Sequence, residues 1–274
     1  MLSLRDRYPA PALMGVVNVT PDSFSDGGRF LVADAAIVEG LRHVSEGAAI
    51  VDVGGESTRP RSQPITIDEE RQRVVPVIAG IIASRLDVAI SIDTSKASIA
   101  GAALQAGASM VNDVTALADP AMASVVAAAG ADLCLMHMLG TPRTMQDDPR
   151  YDDVVAEVSD YLAERVERAV AAGVDRTRIC VDPGIGFGKT VEHNLTLLAN
   201  IAAIERSCGV PVLVGCSRKS FLGRVIGDPD RDRTVPTIAA GLAAVTAGAW
   251  MLRVHDVALH RDALRTYTAI QGAT

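Results

Sequence analysis

The 274 residues read as a single-domain α/β chain, a (β/α)8 barrel, on three observations. Short β-branched runs recur along the chain, and each is followed by a longer helical pattern. Eight such units fit one barrel of about 250 residues. Gly47, Gly107, Gly130, Gly173, Gly209 and Gly248 stand where helical patterns stop before the next strand. Glycine is the residue that ends a helix in the left-handed conformation.

The units follow in order. The run 12–17 (ALMGVV) precedes a helical pattern at 34–46. The run 49–53 (AIVDV) precedes 68–85, which opens on Asp68, Glu69 and Glu70, acids that favour a helix N-terminus. Then come 88–92 (VAISI) with 95–106, 109–112 (SMVN) with 120–129, and 132–136 (DLCLM) with 152–172. The last three are 178–181 (RICV) with 190–207, 211–215 (PVLVG) with 236–247, and 249–254 (AWMLRV) with 257–270. Pro236 suits a first helical turn.

An open doubly wound sheet is the other parallel arrangement. It usually carries a phosphate loop after its first strand, and no GxGxxG occurs here. The stretch 183–190 (PGIGFGKT) has Pro183 where a P-loop needs glycine. No linker, charge block or low-complexity segment divides the chain, so residues 1–274 read as one domain.

Composition excludes several classes. With 49% apolar and 22% charged residues the chain is not disordered. Only 3% aromatics and a net charge of -7 argue against a nucleic-acid binder, though a local positive pocket is compatible. Four cysteines without a CxxC pair read as reduced, buried thiols. No apolar leader opens the sequence and no 18-residue apolar run follows, which predicts a soluble, cytoplasmic protein without a membrane partner.

Function is legible in where the polar residues fall. The strands end at Asn18, at Gly54–Arg59, at Asp93, at Asn112-Asp113, at His137, at Asp182, at Ser217-Arg218-Lys219 and at Arg253–Asp256. In a barrel these ends meet at one mouth, where barrel enzymes keep their sites. Arg253 and His255 are two apart and share a strand face; Ser217 and Lys219 do the same if strand seven stays extended. Lys219, Arg253 and His255 form a cationic group suited to phosphate or pyrophosphate. Asp93, Asn112 and Asp182 suit a flat heterocycle with several N–H donors. Asp52 fits either an internal hydrogen bond or the site, and His137 is equally open. His43, His193 and His260 fall in helical stretches and read as solvated. The loops 20–30 and 55–67 read as lids over the mouth.

The segments Asn18–Gly28, Asp52–Pro60, Ser91–Thr94, Val111–Val114, Asp182–Lys189, Ser217–Gly223 and Arg253–Val257 resemble, in order, the signatures of the dihydropteroate synthases. The resemblance spans about residues 13–270. It implies condensation of 6-hydroxymethyl-7,8-dihydropterin pyrophosphate with p-aminobenzoate to 7,8-dihydropteroate and pyrophosphate, in a Mg2+-dependent homodimer. It also implies roles. Asp93, Asn112, Asp182, Gly215 and Lys219 hold the pterin, with Met136 and Phe187 against its ring. Asn18 binds Mg2+. Asn18, Thr58, Arg253 and His255 hold pyrophosphate. Phe24, Thr58, Arg59, Pro60 and Ser217 shape the p-aminobenzoate and sulfonamide site. The catalytic set is Lys219, Asp93, Asp182, Arg253 and His255.

Three rival readings stand beside it. A methyltetrahydrofolate-corrinoid methyltransferase shares pterin-binding Asp and Asn residues but needs no pyrophosphate cations. A Schiff-base aldolase would use Lys219. A non-catalytic homologue would bind pterin without turnover.

Overall fold

The computed structural model describes residues 2–20, 29–58 and 62–273. Eight parallel strands form one sheet: β1 (Ala12–Asn18), β2 (Ile50–Gly54), β3 (Ala89–Asp93), β4 (Met110–Asp113), β5 (Asp132–Met136), β6 (Ile179–Asp182), β7 (Leu213–Val214) and β8 (Met251–Val254). Their order is β6-β5-β4-β3-β2-β1-β8-β7. Val181 bridges Val212, and its N–H donates to Pro211 O at 3.0 Å, so β6 meets β7 and the sheet closes. The sheet is therefore the expected barrel and not an open doubly wound sheet.

The crossover helices are α2 (Arg29–Glu46), α3 (Ile67–Ala83), α4 (Ala97–Gln105), α5 (Met122–Ala129), α6 (Val154–Ala171), α10 (Thr234–Thr246) and α11 (Val257–Gln271). The helix expected at 190–207 is two, α7 (Val191–Ala199) and α8 (Ile201–Cys208), interrupted at Asn200. Asn200 turns its side chain back onto Thr196 O, an internal bond that competes with helix continuation. Two short helices escape sequence patterning because they are too brief to show a period: α1 (Leu4–Arg7) and α9 (Ser220–Val225). All six predicted helix-ending glycines have positive φ.

Strand alternation separates two apolar cores. Outward residues such as Val17, Val51, Ile92 and Leu133 pack under the helices. Inward residues Met14, Ile50, Met110, Cys134, Cys180, Leu213 and Met251 fill the lower barrel. The four cysteines are buried and unpaired.

The α1 segment closes the bottom. Leu4 is fully buried in the inner core beside Trp250, whose Nε1 donates to Tyr8 O at 2.8 Å. Arg7 forks onto buried Asp132 at 2.7 and 2.5 Å, and Arg178 adds a third contact at 3.2 Å. The result is a barrel plugged at one end and polar at the other.

Two histidines depart from expectation. His43 is fully buried, with Nε2 3.0 Å from Val16 O. Its ring occupies the space over Gly15, where a Cβ would lie 2.6 Å from His43 Cγ. The missing side chain on β1 thus makes room for an inward histidine from α2. His260 is also buried, with Nδ1 2.7 Å from Asp256 O. His193 is half-buried and caps α7 with Thr190.

Candidate active site

The strand register brings the polar positions together. Asn18 lies beside Gly54, Gly54 beside Asp93, and Asp93 beside Asn112. Met136 lies beside Asp182. One rung of the barrel thus passes from apolar floor to polar mouth, as period-2 alternation dictates.

Arg253 rises from β8 and crosses to the facing wall. Its Nε donates to Asp52 Oδ2 at 2.6 Å, and its Nη2 to Asp93 Oδ2 at 2.7 Å. Asn112 Nδ2 donates to the same Asp52 oxygen at 3.1 Å. Asp52 is therefore an interior hydrogen-bond hub, fully buried beneath the site. Burial pushes the Asp93 carboxyl up, and the Arg253 charge pulls it back. Burial likewise raises Asp182, opposed by the Gly184 N–H at 2.7 Å and by Lys219.

Lys219 reaches this group differently from the strand-face expectation. β7 ends at Val214, and Arg218 adopts φ +58. The chain turns there, and Lys219 becomes the residue that opens α9. Its Nζ donates to Ile185 O at 2.6 Å and lies 3.9 Å from the Phe187 ring centroid. Burial pulls its pKa down to about 8, and Asp182 pulls it back up. Phe187 thus stacks on the ammonium, a cation–π contact.

Arg253 and His255 share a strand face but have different neighbours. His255 Nδ1 lies 3.0 Å from Ser217 Oγ, which also accepts from the His255 N–H at 3.3 Å. Ser217 and His255, assigned from sequence to separate subsites, are one hydrogen-bonded pair.

Two glycines lie against the carboxylates of the mouth. A Cβ at Gly215 would meet Asp182 Oδ2 at 3.5 Å and Arg253 Cβ at 3.8 Å. A Cβ at Gly54 would meet Asp93 Oδ2 at 3.5 Å.

Above Asp93 a cavity of about 290 Å³ is lined by Glu56, Ser57 and Thr58 on one side and Met138, Thr141 and Arg143 on the other. Thr58 lies in a signature segment, whereas the residues of the β5–α6 wall carry no signature. A brace of residues remote in sequence forms part of the cavity wall. Buried Glu70 of α3 accepts from Thr94 Oγ1 at 2.6 Å, and Lys96 pairs with both Glu70 and Glu56. Arg73 donates to Gly55 O at 2.8 Å. Phe24, Arg59 and Pro60 lie outside the described residues. Asp113 is a turn former, accepting from the Thr115 and Leu117 N–H groups.

Comparison with known proteins agrees with the sequence pattern. The family described as pterin binding enzyme matches residues 14–255. A Mycobacterium leprae dihydropteroate synthase is 48% identical over 266 residues, 94% of this chain and 92% of that protein. The Xanthomonas albilineans dihydropteroate synthase with 4-aminobenzoic acid superimposes with TM-score 0.88 at 46% identity, over 95% of this chain and 93% of that one. The Yersinia pestis dihydropteroate synthase in a sulfonamide drug complex gives TM-score 0.89 at 41% identity, over 96% and 94% of the two chains.

Proposed function

The chain belongs to the dihydropteroate synthases of the pterin-binding enzyme family, and from that premise we propose how its barrel mouth works. It condenses 6-hydroxymethyl-7,8-dihydropterin pyrophosphate with p-aminobenzoate to give 7,8-dihydropteroate and pyrophosphate. The observation that carries the residue-level reading is the grouping of Asp93, Asn112, Asp182 and Lys219 at the barrel mouth, with Arg253 bonded to Asp93.

Asp93, Asn112 and Asp182 receive the pterin's N–H groups, and Lys219 donates to its acceptors. Met136 and Phe187 pack against the ring. Prepositioned polar groups cost no reorganisation when charge develops. Arg253 uses two N–H groups on Asp52 and Asp93, and a guanidinium has five. The others, with His255, Thr58 and Asn18, take the pyrophosphate oxygens.

Mg2+ fits as a companion of the substrate. Among the described residues no group of three or more His, Cys, Asp or Glu could hold a metal ion. Asn18 offers one carboxamide oxygen at the end of β1, and Mg2+ commonly keeps waters and phosphate oxygens as its other ligands. When bound, the ion neutralises charge on the leaving group.

The C–O bond to pyrophosphate then breaks, and the electron pair leaves with pyrophosphate. The pterin delocalises the positive charge left at its exocyclic methylene. The p-aminobenzoate nitrogen supplies the new C–N bond and loses a proton. Ser217 with His255, Thr58, Phe24, Arg59 and Pro60 shape the p-aminobenzoate pocket, and sulfonamides enter it as mimics. The reading extends to one domain over 1–274, a cytoplasmic location and a homodimer. No described helix is long and apolar enough to cross a membrane. Val235, Leu259 and Ile270 are exposed on α10 and α11 and support a dimer face there.

The test is pyrophosphate release from the pterin pyrophosphate with Mg2+, with and without p-aminobenzoate, in wild type and Lys219→Ala. Release coupled to dihydropteroate, lost in the variant and competed by a sulfonamide, is the expected result. Pterin binding without product overturns it in favour of a non-catalytic homologue.

A further inference from the structure

The loop 184–188 after β6 has no regular structure, yet each of its carbonyls accepts a hydrogen bond. Gly184 O accepts from the Phe187 N–H, Ile185 O from Lys219, and Gly186 O from Gln146 at 2.8 Å. Gly188 O accepts from Tyr151 at 2.8 Å. Phe187 O accepts from Lys189 Nζ at 2.9 Å. Buried carbonyls need such partners, and here side chains from distant segments supply most of them.

Lys189 is the unusual member. Only 3% of it is exposed, and among the described residues no carboxylate forms an ion pair with its amine. Its second partner is His137 Nδ1 at 2.9 Å, at the end of β5. While Lys189 is protonated it can only donate, so His137 Nδ1 then accepts and the imidazole carries its proton on Nε2. Burial and the Lys189 charge hold His137 down at about 3, in keeping with that tautomer. The imidazole is wedged edge-on against Tyr161, with centroids 4.9 Å apart. A Cβ at Gly184 would lie 3.5 Å from Lys189 Nζ, so the amine sits directly behind the loop.

We propose that Lys189 is a positioning residue for the pterin site: it ties Phe187 O to the His137 imidazole, holds the Phe187 ring on Lys219, and places a second cation behind Asp182. The amine spends its hydrogen bonds on Phe187 O and His137 Nδ1, so it acts through Phe187, Lys219 and Asp182. Burial lowers the Lys189 pKa to about 7 while Asp182 raises it, so the two groups sense one another. The inference rests on the synthase reading above, and wild-type turnover tests that reading separately.

The experiment measures kcat and both KM values for Lys189→Met, His137→Gln and His137→Leu beside wild type, with melting temperatures. Lys189→Met should raise KM for the pterin pyrophosphate roughly tenfold or more, with kcat and KM for p-aminobenzoate within about threefold. His137→Gln keeps an acceptor and should stay within about threefold of wild type, whereas His137→Leu should show a smaller version of the same pterin defect. Unchanged pterin KM in Lys189→Met overturns the proposal. So does an equal loss in both KM values and kcat. If Lys189→Met does not fold, His137→Leu decides by the same split, and a wild-type pterin KM there overturns it.

Discussion

Arg253 and Asp93 face each other across the barrel mouth, Nη2 to Oδ2 at 2.7 Å, while the same guanidinium holds Asp52 below at 2.6 Å. One side chain therefore anchors a buried carboxylate and borders the place where substrate charge would be met. The two duties can be separated. Arg253→Met leaves Asp52 buried without its cation and should cost about 3–5 kcal/mol, read by urea denaturation. Adding Asp52→Asn should restore part of that stability. Synthase activity should stay low in both variants.

Lys219 is the lysine of the proposed pterin site, so its titration should reach substrate binding. Its pKa in the fold is about 8, below the ordinary 10.5. Above about 8 the native amine loses its proton before the unfolded one does. Stability from this group therefore rises with pH across that window. Affinity for an anionic substrate moves the other way, falling by up to about tenfold per pH unit once the amine is neutral. Calorimetric titration of the pterin pyrophosphate from about pH 7 to about pH 10 should show this limb in wild type and lose it in Lys219→Met.

Gly184 is a backbone requirement. Its φ is +69, and an added Cβ would lie 1.8 Å from His137 O. Gly184→Ala must push β5 and the loop apart. The expected loss is on the order of 3 kcal/mol, with a raised KM for pterin, read by thermal denaturation and kinetics.

Asp132 tests the opposite end. It is fully buried between Arg7 and Arg178. Asp132→Ala should lower stability by about 2–4 kcal/mol and leave both KM values unchanged, because the bottom of a barrel carries stability and the top carries chemistry. A changed KM would show that the two ends are coupled.

The strands were legible because each carries an apolar run, and four of them, β1, β3, β4 and β6, end on a polar residue. Asp93 and Asp182 at the mouth follow from that, and Asn112 and Arg253 stand one residue before a strand end. Lys219 could be placed there too, but by the wrong geometry. The left-handed turn at Arg218 depends on tertiary contacts, among them Thr237 Oγ1 accepting the Arg218 N–H at 3.0 Å. His43 was misread because its burial depends on an absent side chain at Gly15, distant in sequence. The Glu70–Lys96–Glu56 brace was invisible for the same reason: each residue alone reads as an ordinary surface charge. Register and alternation are local and can be read along a chain; complementarity between remote side chains cannot.

The chain has a single tryptophan, and it sits at the plugged end of β8. Trp250 is fully buried there beside Leu4, at the opposite end of the strand from Arg253. The protein thus carries a built-in optical gauge aimed away from its chemistry. The wavelength of tryptophan emission should register departure of the first eight residues or collapse of the whole barrel. It should hold steady while the mouth fills and empties.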